Sequence, residues 1–120
     1  MKKVNLSESF GKFDDYWSPK IVGSLNDSYV KLAKLSGKFD WHHHEHEDEL
    51  FLVVSGRLRM CLRTGDIDLE PGEFIIVPKG VEHCPETLTD ECNVMLLEPK
   101  STLNTGNIVN ERTVSDLQTL

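Results

Sequence analysis

From Lys20 onward the apolar positions fall in short runs broken by turn residues, which is the patterning of strands. Ile21 to Leu25 and Ser28 to Leu35 flank the hairpin turn Asn26-Asp27. Lys38 to His44 and Glu49 to Val54 follow as strands with an acidic loop between them. Arg57 to Arg63 alternates strictly, with Leu58, Met60 and Leu62 on one face and Arg57, Arg59, Cys61 and Arg63 on the other. Ile67 to Leu69, Phe74 to Val77, a strand near His83 and Cys92 to Glu98 complete a series of about ten. Before them, Asn5 to Lys12 predicts one short helix, with Asn5 or Ser7 as its N-cap and Gly11 as its stop. Pro19 ends any helix that precedes it. No helical period separates the strands, so the chain reads as an all-β antiparallel sandwich or barrel rather than as βαβ units. The last twenty residues are polar, and we expect an extended segment packed on the barrel with a loosely held end.

Size and charge narrow the function classes. A chain of 120 residues makes one domain. With 13 Lys and Arg against 20 Asp and Glu, the net charge is −7, and no basic cluster offers a seat for nucleic acid. No apolar stretch is long enough to span a membrane, and the start lacks the apolar core of a signal peptide. Cys61, Cys84 and Cys92 follow no metal or redox spacing, which points to a reducing cytoplasm.

All five histidines lie in two segments, Trp41 to Glu49 and Pro78 to His83. His42 and His44, two apart on a strand, share one face, and His43 points to the other. A hairpin brings Glu49 beside them, and His83 arrives from a different hairpin. Three imidazoles and one carboxylate make a mixed nitrogen–oxygen site for one divalent transition metal: manganese, iron, nickel, cobalt, copper or zinc. Four protein ligands leave two octahedral positions open for water or a bidentate molecule, whereas a closed structural zinc site would be richer in Cys. A register based on His44 and His46 leaves too short a loop before Glu49. His46 is expected in the solvated loop, with Glu45, Glu47 and Asp48. Because ligating imidazoles must be neutral, metal affinity is expected to fall as pH drops through about 6.5.

His42-x-His44-x4-Glu49-x6-Gly56 resembles the first cupin motif, and Gly72-x5-Pro78-x-Gly80-x2-His83 resembles the second. The likeness covers Ile21 to Pro99, and it is nearest to small single-domain bacterial cupins of the mannose-6-phosphate-isomerase-like kind. Thr87 stands where the second motif usually ends in Asn. The resemblance implies a double-stranded β-helix, or jelly-roll barrel, with metal ligands His42, His44, Glu49 and His83. On this reading residues 1–19 are the helix and connection, 20–99 the barrel and 100–120 the tail. Sheet edges and the resemblance together imply a homodimer, with Ile21 to Leu25 contributing.

The leading functional expectation is a metal-dependent isomerase, dioxygenase or hydrolase acting on a small polar or carbohydrate-like molecule. The alternative is a non-catalytic module that holds a small-molecule ligand through its metal. No general base beyond the ligands stands out; Lys31, Lys34 and Glu82 are the candidates to face the metal. The plain expectation puts Lys31 in solvent, while an inward Lys31 would meet an anionic ligand. Arg57, Arg59 and Arg63 are expected on an outward face, Trp41 in packing, and Cys84 turned away from the site.

Overall fold

A computed structural model describes residues 1–120. The one helix, α1 (Leu6–Phe10), starts where the Asn5 side chain accepts a hydrogen bond from the Glu8 N–H at 3.0 Å, satisfying one orphan donor of the first turn. It ends at Gly11, whose N–H returns to Ser7 and Glu8 carbonyls. No helix is long and apolar enough to cross a membrane.

Eight strands follow: β1 (Lys20–Leu25), β2 (Ser28–Leu35), β3 (Glu49–Ser55), β4 (Leu58–Leu62), β5 (Ile67–Leu69), β6 (Phe74–Val77), β7 (His83–Thr87) and β8 (Cys92–Pro99). They form a five-stranded sheet in the order β1-β2-β8-β3-β6 and a three-stranded sheet in the order β5-β4-β7, with every ladder antiparallel. This is the all-β antiparallel architecture expected from the turn spacing, in the jelly-roll arrangement that the resemblance implies. Between the sheets lie Ala33, Leu35, Phe51, Val53, Leu58, Met60, Leu69, Val77, Cys92, Val94 and Leu96. Full burial of side chains such as Leu58, Met60 and Val94 stabilises by about 1.5–3 kcal/mol each. The alternation is clearest in β8, where Cys92, Val94, Leu96 and Glu98 are buried and the residues between them are half-buried.

The outer face of the large sheet is apolar as well. Cross-strand register lines up Val30, Leu97, Leu50 and Ile76 in one row and Leu32, Met95, Leu52 and Phe74 in the next. Phe10 and Phe13 cover the Leu32 end. The β6 end stays open, with Phe74 58% and Ile76 57% exposed. Leu25, at the β1 edge singled out from sequence, is 56% exposed as well.

Two local expectations change. Lys38 to His44 is not a strand but an extended segment touching the small sheet only at two bridges, Lys38 with Glu86 and His42 with His83. Its other backbone groups are taken by loops and by the tail: the His44 carbonyl accepts from Gly80, and the His43 carbonyl accepts from Asn107 at 3.0 Å. The chain end is also held rather than loose, because Ile21 and Leu120 exchange backbone hydrogen bonds with β1 and the tail (Ile21 N–H to the Gln118 carbonyl, Leu120 N–H to the Ile21 carbonyl).

Candidate metal centre

Antiparallel pairing places the four expected residues around one point. His42 and His83 face each other through a reciprocal pair of backbone hydrogen bonds, 3.0 and 2.9 Å. His44 follows two residues after His42. Glu49 opens β3 and His83 opens β7. One ligand atom from each of the four lies within 4.8 Å of all the others. All four residues are buried, His83 completely.

The imidazoles are aimed by backbone carbonyls. His42 Nδ1 meets the Asp40 carbonyl and His83 Nδ1 the Val81 carbonyl, each at 2.9 Å. Each such bond makes Nδ1 the donor and leaves Nε2 with a free lone pair, the form a metal needs. His44 Nε2 and His83 Nε2 lie 3.0 and 3.3 Å from Glu49 Oε1, and none of the three atoms has a hydrogen-bond partner of good geometry. Orphaned buried atoms of this kind are costly, and a divalent cation would satisfy all of them together. The donor set, its burial and its orphaned lone pairs fit a metal ion. Burial, then the neighbouring His83, lowers His42 to about 4, so it is neutral at physiological pH. Burial acts to raise Glu49, but the Glu98 carboxyl and the imidazoles of His44 and His83 hold it well below the usual carboxylate range.

The tail braces this segment. His43 N–H donates to Asn107 Oδ1 at 2.9 Å, and Asn110 Nδ2 donates to Asp40 Oδ2 at 2.8 Å. Gly106, at φ +58°, packs so closely on the His43 carbonyl that a Cβ there would overlap it.

The remaining sequence candidates are dispersed. His43 turns away to Glu45, and His46 is exposed in the loop. Asp48 accepts from the Lys79 N–H, and Cys84 Sγ donates to the Phe39 carbonyl. Arg57, Arg59 and Arg63 pair outward with Glu70, Asp68 and Glu82, so Glu82 does not face the metal cluster. Trp41 packs under the Arg63 guanidinium. Lys34 lies over the Phe13 ring, on the outer side.

Lys31 departs from the solvent-facing expectation. It is 1% exposed, and its Nζ lies 2.7 Å from Glu98 Oε1. Pairing with Leu96 sets its inward parity, and its counterion is 67 residues away in the chain, beyond any local pattern. Glu98 itself was missed from sequence. Its one available signal was its place in the inward alternation Cys92, Val94, Leu96, Glu98. Burial and the adjacent Glu49 charge push Glu98 well above the usual carboxylate range, with Lys31 opposing. Together with His42, Glu49, Phe51 and Asn104, it lines a cavity whose other walls are mainly apolar, among them Trp17, Phe39 and Leu96.

Comparison with known proteins agrees with this fold. A family model described as a cupin domain matches residues 28–99. A cupin-2 domain protein from Shewanella frigidimarina is 40% identical, with a TM-score of 0.78 over 81% of this chain and 94% of that one. KdgF from Halomonas is 27% identical, with a TM-score of 0.60 over 68% of this chain and 79% of that one. An acireductone dioxygenase from Bacillus mycoides is 35% identical over 81 residues, 63% of this chain and 47% of that protein. The chain spans about half the length of the curated relatives it matches.

Proposed function

The chain belongs to the cupin domain family, and on that premise we propose that it is a metal-dependent enzyme of the isomerase, dioxygenase or hydrolase type, acting on a small polar molecule. One observation carries the reading: the orphaned, buried lone pairs of His44, Glu49 and His83 converge beside an open cavity. His42, His44, Glu49 and His83 are the ligands in this proposal. A bound divalent cation would supply Lewis acidity to a carbonyl or enediol oxygen, or activate water or O₂. The three imidazoles and Glu49 would hold it on one side, and the apolar walls would exclude bulk water from the other.

The likeness to acireductone dioxygenases supports oxygen-ligand chemistry at such a site. A mannose-6-phosphate-isomerase activity fits less well. No lysine or arginine lines the cavity, and Lys31, behind its wall, is engaged by Glu98, which leaves a phosphate without a ready seat. A cytoplasmic location and a homodimer complete the proposal; the first rests on cysteine usage and the second on the open β6 edge.

The test is metal analysis of the purified, tag-free protein, then screening of small polar molecules with that metal restored. About one metal per chain and turnover of a compound would support the enzyme reading. Saturable binding without turnover of any compound would favour the non-catalytic module. Absence of metal binding would overturn both.

A further inference from the structure

One wall of the cavity beside the metal centre comes from the connection that precedes β1, through Trp17 and Pro19. The Trp17 and Phe39 rings stack with centroids 4.7 Å apart, and Phe39 meets the His42 ring edge-on at 5.3 Å. An unbroken aromatic series therefore runs from this wall to a candidate metal ligand. Trp17 holds its place against its own backbone. Its φ is +58°, a left-handed conformation that is an outlier for a bulky side chain. Such strain persists only where the surroundings over-determine it, and it clusters at functional sites. Two hydrogen bonds fix Trp17: its backbone N–H donates to the Lys34 carbonyl and its indole Nε1–H to the Ser36 carbonyl, both at 2.9 Å. With the indole N–H spent on Ser36, the ring offers the cavity apolar surface.

We propose that Trp17 is a specificity-determining residue that limits the length of an apolar tail on the ligand. The ligand class is a short-chain amphipath, with an oxygen-donor head for the metal and an aliphatic tail of about three carbons. This rests on the metal-centre reading above. His42 and Glu49 line the cavity at its metal end and place the head. The tail follows from the rest of the lining. Asn104 is bonded at both ends, donating to the Arg112 carbonyl and accepting from the Val114 N–H. Glu98 is held by Lys31 and by the Glu49 carboxyl. Neither is free to receive a polar substituent, and every other wall is apolar. The length follows from the volume. The cavity holds about 40 Å³, and a water-sized group needs about 10–15 Å³, so about three such groups fit before they meet the walls. The ligand binds intact, with no covalent step implied.

The experiment titrates Ni(II)-loaded full-length protein calorimetrically with acetohydroxamate, butanohydroxamate and hexanohydroxamate. These share one chelating head and differ only in the length of the aliphatic tail. Butanohydroxamate should bind about tenfold more tightly than acetohydroxamate, since each buried methylene is worth about fourfold. Hexanohydroxamate should bind more weakly than butanohydroxamate. In Trp17→Ala, hexanohydroxamate should gain about tenfold or more and become the tightest of the three. Trp17→Phe keeps a ring to stack on Phe39 and removes less of the wall, so the gain should be about fourfold. Trp41→Phe, where the ring packs under Arg63 and does not line the cavity, should leave the order unchanged. Should Trp17→Ala not fold, Trp17→Phe decides alone. Affinities indifferent to tail length, binding of none of the probes, or an unchanged order and no gain in the Trp17 variants would overturn the proposal while leaving the metal site intact. Failure of the unaltered protein to hold Ni(II) would instead sink the metal reading beneath it.

Discussion

The Glu98 carboxyl meets that of Glu49 beside the end of the β3–β8 ladder, where the last pair is Leu50 with Leu97, and Lys31 Nζ lies 2.7 Å from Glu98 Oε1. Two buried carboxyls this close do not ionise independently: Glu98 is pushed well above the usual carboxylate range by burial and the Glu49 charge, Lys31 opposes that shift, and Glu49 is held low.

Removing only one partner of the Lys31–Glu98 pair leaves an uncompensated buried charge. Lys31→Met should lower unfolding stability by about 3–5 kcal/mol in urea denaturation of the metal-free protein. Lys31→Met/Glu98→Met should recover most of that loss. A double variant as unstable as the single one would show that Lys31 acts through packing alone.

His83→Ala removes the one ligand that comes from β7. Metal affinity should fall by more than the roughly 10–100-fold typical of losing a supporting partner. Far-UV dichroism should stay β-like, because the apolar core Leu58, Met60, Val94 does not involve the site. His46→Ala, in the exposed loop, should leave the metal content unchanged. Metal retained in His83→Ala but lost in His46→Ala would put the ligands in the wrong register.

Gly106 tests the brace formed by the tail. A methyl group there meets the His43 carbonyl and sits at positive φ, so Gly106→Ala should cost about 1–3 kcal/mol and loosen metal binding with it. Gly23→Ala, where an added Cβ meets only ordinary contact with Val30, should change little. Thermal melts with and without metal make the comparison. If the two variants match, the close approach is not a constraint.

The pH dependence of the metal-free protein follows from His42. Its folded pKa, about 4, lies below the value of about 6.5 in an unfolded chain. Between those values the unfolded chain takes up a proton that the folded chain refuses, so stability rises with pH across the window and is lost as pH falls through it. The loss approaches about 3 kcal/mol near pH 4. It also places proton competition at His42 in more acid solution than the ordinary imidazole range expected from sequence. Urea titrations at several pH values should give a smaller slope for His42→Asn than for the unaltered protein. Equal slopes would remove His42 as the cause.

The homodimer is proposed through the open β6 edge. Phe74→Lys should shift sedimentation towards monomer without loss of fold, since Phe74 is mostly exposed. A monomer before the substitution would refute the assembly.

Local chemistry explains why so much was readable along the chain. Turn residues and period-two alternation mark strands because each strand buries one face, so β2, β5 and β6 begin and end where the pattern places them. The spacing of His42, His44 and Glu49 was legible for the same reason: parity and a short loop are local properties. Lys38 to His44 misled because its alternation is real while its hydrogen-bond partners are not those of a sheet. They belong to Gly80, Asn107 and His83, residues that only the folded chain brings near.

The sequence by itself determined the all-β class, the turns, and the identity of the four residues that gather at the candidate site. Only the tertiary structure decided that Lys31 points inward, that Glu98 meets it, and that the tail pins His43. Each of these depends on a contact spanning more than sixty residues. Inward and outward are properties of a strand's two neighbours in the sheet, and nothing local to β2 specifies that β8 will lie beside it with Glu98 within reach of Lys31.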